Sequence, residues 1–279
     1  MRLTELTDRS RLFVRGSLYA LAAMWLAWVW LPIIWTFFTG IAVNAQTYPP
    51  QIIPNEITFA HYRRVVFDEN MFEYIINSTG ITLITTTVSV VIGSLAGYAL
   101  TRYDPGDGNV AFFILSMRFL PPIAVAIPIY EIFIGFRWID TWQSLIISYL
   151  TIGIPITTWI MLIFFQKIPQ TLEEASWVDG WSRLQTWWRV IIPLAAPGIS
   201  TAAILSAILM WNEYVLALVL TSSPKAQTIP IYLATSMTVR GIQWGKLAAG
   251  TTIAMTPVIV LAFIMQERLV AGFTLESVE

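Results

Sequence analysis

The chain has 279 residues, 56% of them hydrophobic and 12% charged, with a mean hydropathy of +0.67. Soluble domains carry about 25% charged residues, and here the apolar residues gather in long runs, so residues 1–279 are read as a single membrane domain. A net charge of −1 gives no basis for binding nucleic acid, the absence of cysteine excludes disulfides and thiolate metal sites, and the one histidine, His61, cannot build a histidine-ligated metal cluster.

Arg2, Arg9, Arg11 and Arg15 precede the first apolar run. A cleaved signal peptide, with Val43-Asn44-Ala45 as its processing site, has an apolar region of about 7–15 residues. This run is much longer, so it is read as a retained first span at about 17–40, since about 20 apolar residues cross a bilayer core. An outer loop at about 42–73 contains Pro49-Pro50 and Pro54, with His61, beside Arg63 and Arg64, read as a solvated surface residue. No charge lies between Glu73 and Arg102, which sets a second span at about 75–101. Its Gly93 and Gly97 form a GxxxG face suited to close packing, inside the chain or against another protein. A third span at about 110–135 carries Arg118 and Glu131, and Pro121, Pro122 and Pro128 are expected to break it and free carbonyls toward a cavity. The fourth fits between Asp140 and Lys167, the fifth runs from near Gly198 to about Leu220, and the sixth lies between Lys246 and Glu267.

The fold class is therefore an all-α membrane protein with six transmembrane helices. With the N-terminus inside, the inner segments hold Arg2, Arg9, Arg11, Arg15, Arg102, Lys167, Arg183, Arg189 and Arg268, against Arg63, Arg64, Arg137, Lys225, Arg240 and Lys246 outside. The bias places both termini in the cytoplasm, and with them the loop at about 167–197 between the fourth and fifth spans. In that loop Thr171 and Glu174 have the spacing of a capping box that starts a short helix. Gly180 can end it, Ser182 can cap a second short helix, and Pro193 is expected to stop that one. Ala175 and Ser176 are small enough for another protein to approach closely, and Trp177, Trp181, Trp187 and Trp188 suit a lipid interface.

Glu174-Ala175-Ser176, then Asp179-Gly180, then Val190-Ile191-Ile192-Pro193 resemble the EAA motif of the permease subunits of ABC importers. Ser176 stands where the motif has a second alanine. The resemblance implies that Glu174, Ala175, Ser176, Asp179 and Gly180 form a coupling helix that docks into a cleft of a separate ATPase. Thr58, Tyr62, Phe67, Asn77-Ser78, Pro121-Pro122, Ile127-Pro128, Trp211-Asn212-Glu213 and Val270-Ala271-Gly272-Phe273-Thr274 resemble the smaller maltose-type permease, with Glu276 and Glu279 departing from that branch's tail. This second resemblance implies an importer of a sugar, oligosaccharide or polyol, in which this chain is half of the channel. Its implied partners are a second homologous permease, two ATP-binding subunits carrying ATP-Mg on the cytoplasmic face, an extracytoplasmic solute-binding protein and the lipid bilayer of a bacterial inner membrane. No cofactor is expected on this chain.

Charged and amide side chains in hydrocarbon need an inward partner or a water-filled cavity, which singles out Arg118, Glu131, Asn212 and Glu213. Trp211 and Tyr214 beside Asn212 and Glu213 supply the aromatic faces and hydrogen bonds that sugars require. Glu131 also fits the outer membrane surface, and Arg118 also fits a gating pair with an acid of the sister subunit. The resemblance leaves open that the sister holds most of the sugar while this chain gates the route. The string Gly241-Ile242-Gln243-Trp244-Gly245-Lys246-Leu247 lacks the spacing and hydroxyl of a phosphate loop, and neither G-x-S-x-G nor HExxH occurs, so no enzyme activity is expected. The alternatives are an ABC permease for a non-sugar solute, an ion-driven secondary transporter, whose internal repeats are not evident here, and a non-transporting scaffold or channel component.

Overall fold

The computed structural model describes residues 2–45, 52–104, 106 and 108–274, with side chains from Arg15 to Val260 within those ranges and at Phe263. The side chains of Arg2, Arg9, Arg11, Glu267, Arg268 and Val270–Thr274, and all of Pro49, Pro50, Glu276 and Glu279, lie outside that description. The chain divides into two compact units, residues 1–69 with 236–255, and residues 70–235 with 256–279.

In the first unit α1 (Arg2–Ile41) holds the first expected span. With no water to bond, its Thr36 and Thr39 hydroxyls donate back to the Pro32 and Trp35 carbonyls at 2.8 Å. The chain then turns: Thr58 N–H donates to the Ile41 carbonyl at 2.7 Å and Val43 N–H to that of Glu56 at 3.2 Å. The short helix α2 (Ala60–Arg63) widens into a π turn over 64–68. A two-stranded hairpin, β1 (Met237–Thr238) with β2 (Gly241–Ile242), leads into α12 (Trp244–Thr274), which contains the sixth expected span. His61 is half-buried rather than solvated. Its imidazole covers Gly245 so closely that a Cβ there would lie 2.4 Å from Nε2, which itself is 3.2 Å from the Ala42 carbonyl. Glu69 bridges Arg64 at 2.7 Å and Lys246 at 2.6 Å.

The second unit is built on α3 (Met71–Tyr103), α6 (Trp142–Gln166) and α9 (Ile192–Trp211). The GxxxG face of α3 is used within the chain. A Cβ on Gly93 would meet Thr157 Oγ1 at 2.1 Å, and one on Gly97 would meet the Leu162 amide nitrogen at 2.9 Å. One register away Gly153 of α6 makes room for Ser89, and Thr157 Oγ1 lies 2.7 Å from the Ser89 carbonyl. Small residues and interhelical hydrogen bonds are how helices associate when burial from water offers no drive.

Two of the expected spans are broken. The third consists of α4 (Asn109–Ser116), one 3₁₀ turn at 117–119 and α5 (Pro122–Phe136), bent by 91°. Pro121 holds Leu120 in the extended region (φ −71°, ψ 125°), and Pro122 starts the new helix where a missing N–H costs nothing. Pro128, expected to break the span as well, lies inside an uninterrupted α5. The fifth starts earlier and ends earlier than expected, at Trp211, and resumes as α10 (Val215–Leu220). Among the described residues four helices are long and apolar enough to cross a membrane, Arg15–Ile41, Met71–Tyr103, Trp142–Gln166 and Arg183–Trp211, or five with the bent pair.

The segment 221–229 before α11 (Ile229–Ala234) is fastened at three points. Asn77 donates to the Pro224 and Gln227 carbonyls at 2.8 and 2.9 Å while its oxygen accepts from the Trp142 indole at 2.9 Å. Ser78 Oγ accepts the Ile229 N–H at 2.8 Å. Asp140 accepts the Ser222 and Ser223 N–H groups at 2.9 Å and the Ser223 hydroxyl at 2.5 Å. Burial opposes ionisation of Asp140, but these bonds and Lys225 outweigh it and hold the carboxyl below its usual range.

Replacing Gly93 by valine should destabilise the α3–α6 contact by about 1–3 kcal/mol, read as a lower thermal midpoint in detergent; an unchanged midpoint contradicts the contact. Because the folded pKa of Asp140 is depressed, its fastening is complete above the unfolded carboxylate pKa of about 4 and weakens as pH falls below it. Protection of the Ser222 and Ser223 amides from hydrogen exchange, corrected for intrinsic rates, should therefore decline in acid, whereas Asp140→Ala should lack it at every pH.

Candidate functional site: the α7 loop and the broken helices

Between α6 and α9 lie α7 (Thr171–Val178) and α8 (Arg183–Thr186). The Thr171–Glu174 capping box does not form. Gln170 is already helical (φ −63°, ψ −27°), so Thr171 is the first residue of α7, and the Pro169 and Gln170 carbonyls take the N–H groups of residues 172–174. Gly180, at φ +85°, ends the turn, with Trp181 N–H donating to the Ser176 carbonyl at 3.0 Å. Ser182 and Gln185 make the second capping box reciprocally, at 3.3 and 2.8 Å. Pro193 does not stop that helix: a wide π turn over 187–191 carries α8 into α9, and Pro193 falls in the first turn of α9. The π turn accommodates a residue that has no N–H to give to an α-helical ladder.

The faces of α7 divide sharply. Glu173 and Ser176 point inward, one turn apart, whereas Glu174, Ala175, Val178, Asp179 and Gly180 are exposed. Glu173 is 1% exposed and forms a buried ion pair with Arg102 of α3 at 2.5 Å. The Tyr98 hydroxyl donates to its other carboxylate oxygen, and Arg102 Nη2 donates to the Ile168 carbonyl at 2.9 Å. Ser176 Oγ lies 2.7 Å from the Glu173 carbonyl and 2.7 Å from Thr186 Oγ1, tying α7 to α8. Ser176, read as a point of approach for another protein, is thus an internal fastening, while Ala175 is exposed. Trp187 stacks edgewise on Tyr98 with ring centres 4.8 Å apart, and Arg183 and Arg189 cover Trp177 and Trp181 at 5.1 and 5.5 Å, so those three are half-buried and Trp188 is exposed, at 62%. Glu173, Arg102 and Tyr98 escaped the motif reading. The signal available was the i, i+3 pairing of Glu173 with Ser176, which puts both on one helix face.

The solute-facing candidates fall in two places. At the α9–α10 break, Asn212 is exposed and its amide donates to the Ile208 carbonyl at 2.8 Å. Glu213 is buried, and its oxygens accept the Leu216 and Ala217 N–H groups at 3.0 and 3.2 Å, capping α10. Trp211 borders an apolar cavity of about 300 Å³ with Thr79, Thr82 and Pro257, and Tyr214 is 37% exposed. At the α4–α5 elbow, Arg118 lines a cavity of about 510 Å³ with Ser116 and Thr151. Glu131 is exposed on α5. Among the described residues no group of three or more His, Cys, Asp or Glu residues is placed to hold a metal ion.

Residues 89–274 match the family of binding-protein-dependent transport system inner membrane components. The chain is 36% identical to the trehalose transport system permease protein SugB of Mycobacterium tuberculosis, over 89% of this chain and 92% of that one. It is 30% identical to the trehalose/maltose transport system permease protein MalG of Thermococcus litoralis, over 97% and 96% of the two chains. To the sulfoquinovosyl glycerol transport system permease protein SmoH of Agrobacterium fabrum it is 30% identical, over 87% and 86%. Its fold is similar to that of a chain in a bacterial ABC transporter involved in the import of the acidic polysaccharide alginate, with a TM-score of 0.75 at 23% identity over 94% and 98%. The chain therefore belongs to the binding-protein-dependent transport system inner membrane component family, as a multi-pass, non-enzymatic ABC transporter permease.

Proposed function

We propose that this chain forms half of the translocation pathway for a sugar, oligosaccharide or polyol in an ABC importer, and that α7 couples it to a separate ATPase. In this reading the two compact units work as one permease domain of six spans with both termini cytoplasmic. The permeases it is similar to are named for trehalose, for trehalose and maltose, and for sulfoquinovosyl glycerol, which supports a carbohydrate solute.

The observation that carries the coupling role is the division of α7 into a buried and an exposed face. A helix whose inner face is bonded to Arg102 and Thr186 is held by the membrane helices, and its outer face is free to be held by something else. Glu174, Ala175, Asp179 and Gly180 would seat in a cleft of the ATPase, with Ser176 fixing their angle from behind. Two ATPase subunits binding ATP-Mg would draw this helix and its counterpart on a second permease together and turn the pathway outward toward a solute-binding protein. Hydrolysis would return it. Arg118, Trp211, Asn212 and Tyr214 would border the route. Glu213, its oxygens occupied by backbone, would shape the break beside it.

Ala175→Trp adds bulk to an exposed position, so the chain should fold and reach the membrane. The variant should lose co-purification of the ATPase subunits and reduce sugar uptake in cells by at least about tenfold, about 1.4 kcal/mol or more of lost contact. Uptake and co-purification at wild-type levels would remove α7 from the coupling role.

A further inference from the structure

We infer that the cavity at the α4–α5 elbow is a subsite for an anionic group on the transported sugar, with Arg118 as the residue that selects for that charge. The inference rests on the permease reading and adds a substrate class to it. The elbow opens a cavity of about 510 Å³, room for a sugar unit. Arg118 is its one charged lining residue; the others the cavity shares are the hydroxyls of Ser116 and Thr151 and apolar side chains including Phe113 and Ile152.

The hydroxyls are already oriented. Ser116 donates to the Phe113 carbonyl at 2.7 Å and Thr151 to the Ser148 carbonyl at 2.6 Å. With their protons so engaged, their lone pairs remain available to accept from sugar hydroxyls. Arg118 offers donors alone, and among the described residues it has no ion pair or hydrogen bond. Among the described residues no acid lines the cavity, and Glu213, three residues before the lining residue Leu216, has both oxygens occupied by backbone N–H groups. Arg118 also lies at the break of a bent helix pair apolar enough to cross a membrane, where a lone arginine needs a counter-charge or water. A neutral sugar entering the cavity displaces water and leaves the guanidinium uncompensated. A sugar bearing a carboxylate or sulfonate displaces the same water and supplies the missing charge, which makes a charge-assisted bond.

The test uses the assembled permease–ATPase complex in nanodiscs without the solute-binding protein, so that the binding protein's own preference does not enter. Equilibrium binding is compared for a radiolabelled glucuronate-containing disaccharide and its neutral, carboxyl-reduced counterpart. Wild type should bind the acidic form about tenfold more tightly, Arg118→Gln should lose that preference, and Arg118→Lys should keep part of it. Size-exclusion chromatography reports that each variant remains assembled. Equal binding of the two sugars by wild type, or a preference retained in Arg118→Gln, overturns the inference while uptake of sugar by wild-type cells leaves the permease reading standing. Failure of Arg118→Gln to assemble, cured by neutralising an acid on the second permease, also overturns it, because Arg118 would then be a subunit contact. Absence of sugar uptake by wild-type cells overturns both.

Discussion

One buried ion pair sets the position of everything on the α7 side of the molecule. Glu173 and Arg102 are almost fully removed from solvent, at 2% and 9% side-chain exposure, and charges in that situation are tolerable where each finds full compensation. They do. Glu173 lies in the first turn of α7 and Arg102 in the last turn of α3, so each faces the helix end whose dipole favours it. Tyr98 and the Ile168 carbonyl take the remaining bonds. Removing either partner would strand a buried charge at a cost of about 3–5 kcal/mol. The geometry is thus strongly determined, and α7 has little freedom to move without α3. Since α3 is itself seated against α6 at Gly93 and Gly97 with no room for a side chain, the constraint reaches from the loop into the centre of the helical unit.

The two broken helices show the opposite principle. In hydrocarbon an interrupted helix must find partners for the backbone groups it frees. At 212–214 the partner is internal: the Glu213 carboxylate caps α10, and the Tyr149 hydroxyl reaches the Glu213 carbonyl at 3.4 Å. At 120–121 two prolines make the break and a cavity adjoins it, with a cation in its wall. One break is therefore closed on itself, and the other adjoins a cavity. The same unit thus joins a loop helix held tightly by an ion pair to an elbow that adjoins a cavity.

Much of this was legible in the sequence, for reasons that differ by element. Charge-free intervals located α3 and α6 to within a few residues, because the cost of a charge in lipid is large and local. The glycine stop of α7 and the Ser182 cap of α8 were readable because caps depend on adjacent residues, whereas the start of α7 was not, since Gln170 is already helical and the Thr171–Glu174 box does not form. Pro193 was misread because the π turn over 187–191 before it removes the usual objection to proline in a helix. His61 was misread for a similar reason, since its burial depends on Gly245, far along the chain. Glu173 is the instructive miss. The motif drew attention to Glu174, but which of two adjacent acids faces inward is decided by the register of α7 against Arg102, 71 residues earlier.

The central claim is that α7 and α3 move as one body. The chain has no cysteine, so with cysteine-free partner subunits, spin labels at the exposed positions Val178 of α7 and Val91 of α3 report on that pair. In the reconstituted transporter, double electron–electron resonance should give one narrow distance that is the same without nucleotide and with ATP bound, and Glu173→Gln should broaden it. A wild-type distance that shifts with nucleotide, or one that stays narrow in Glu173→Gln, would contradict the account.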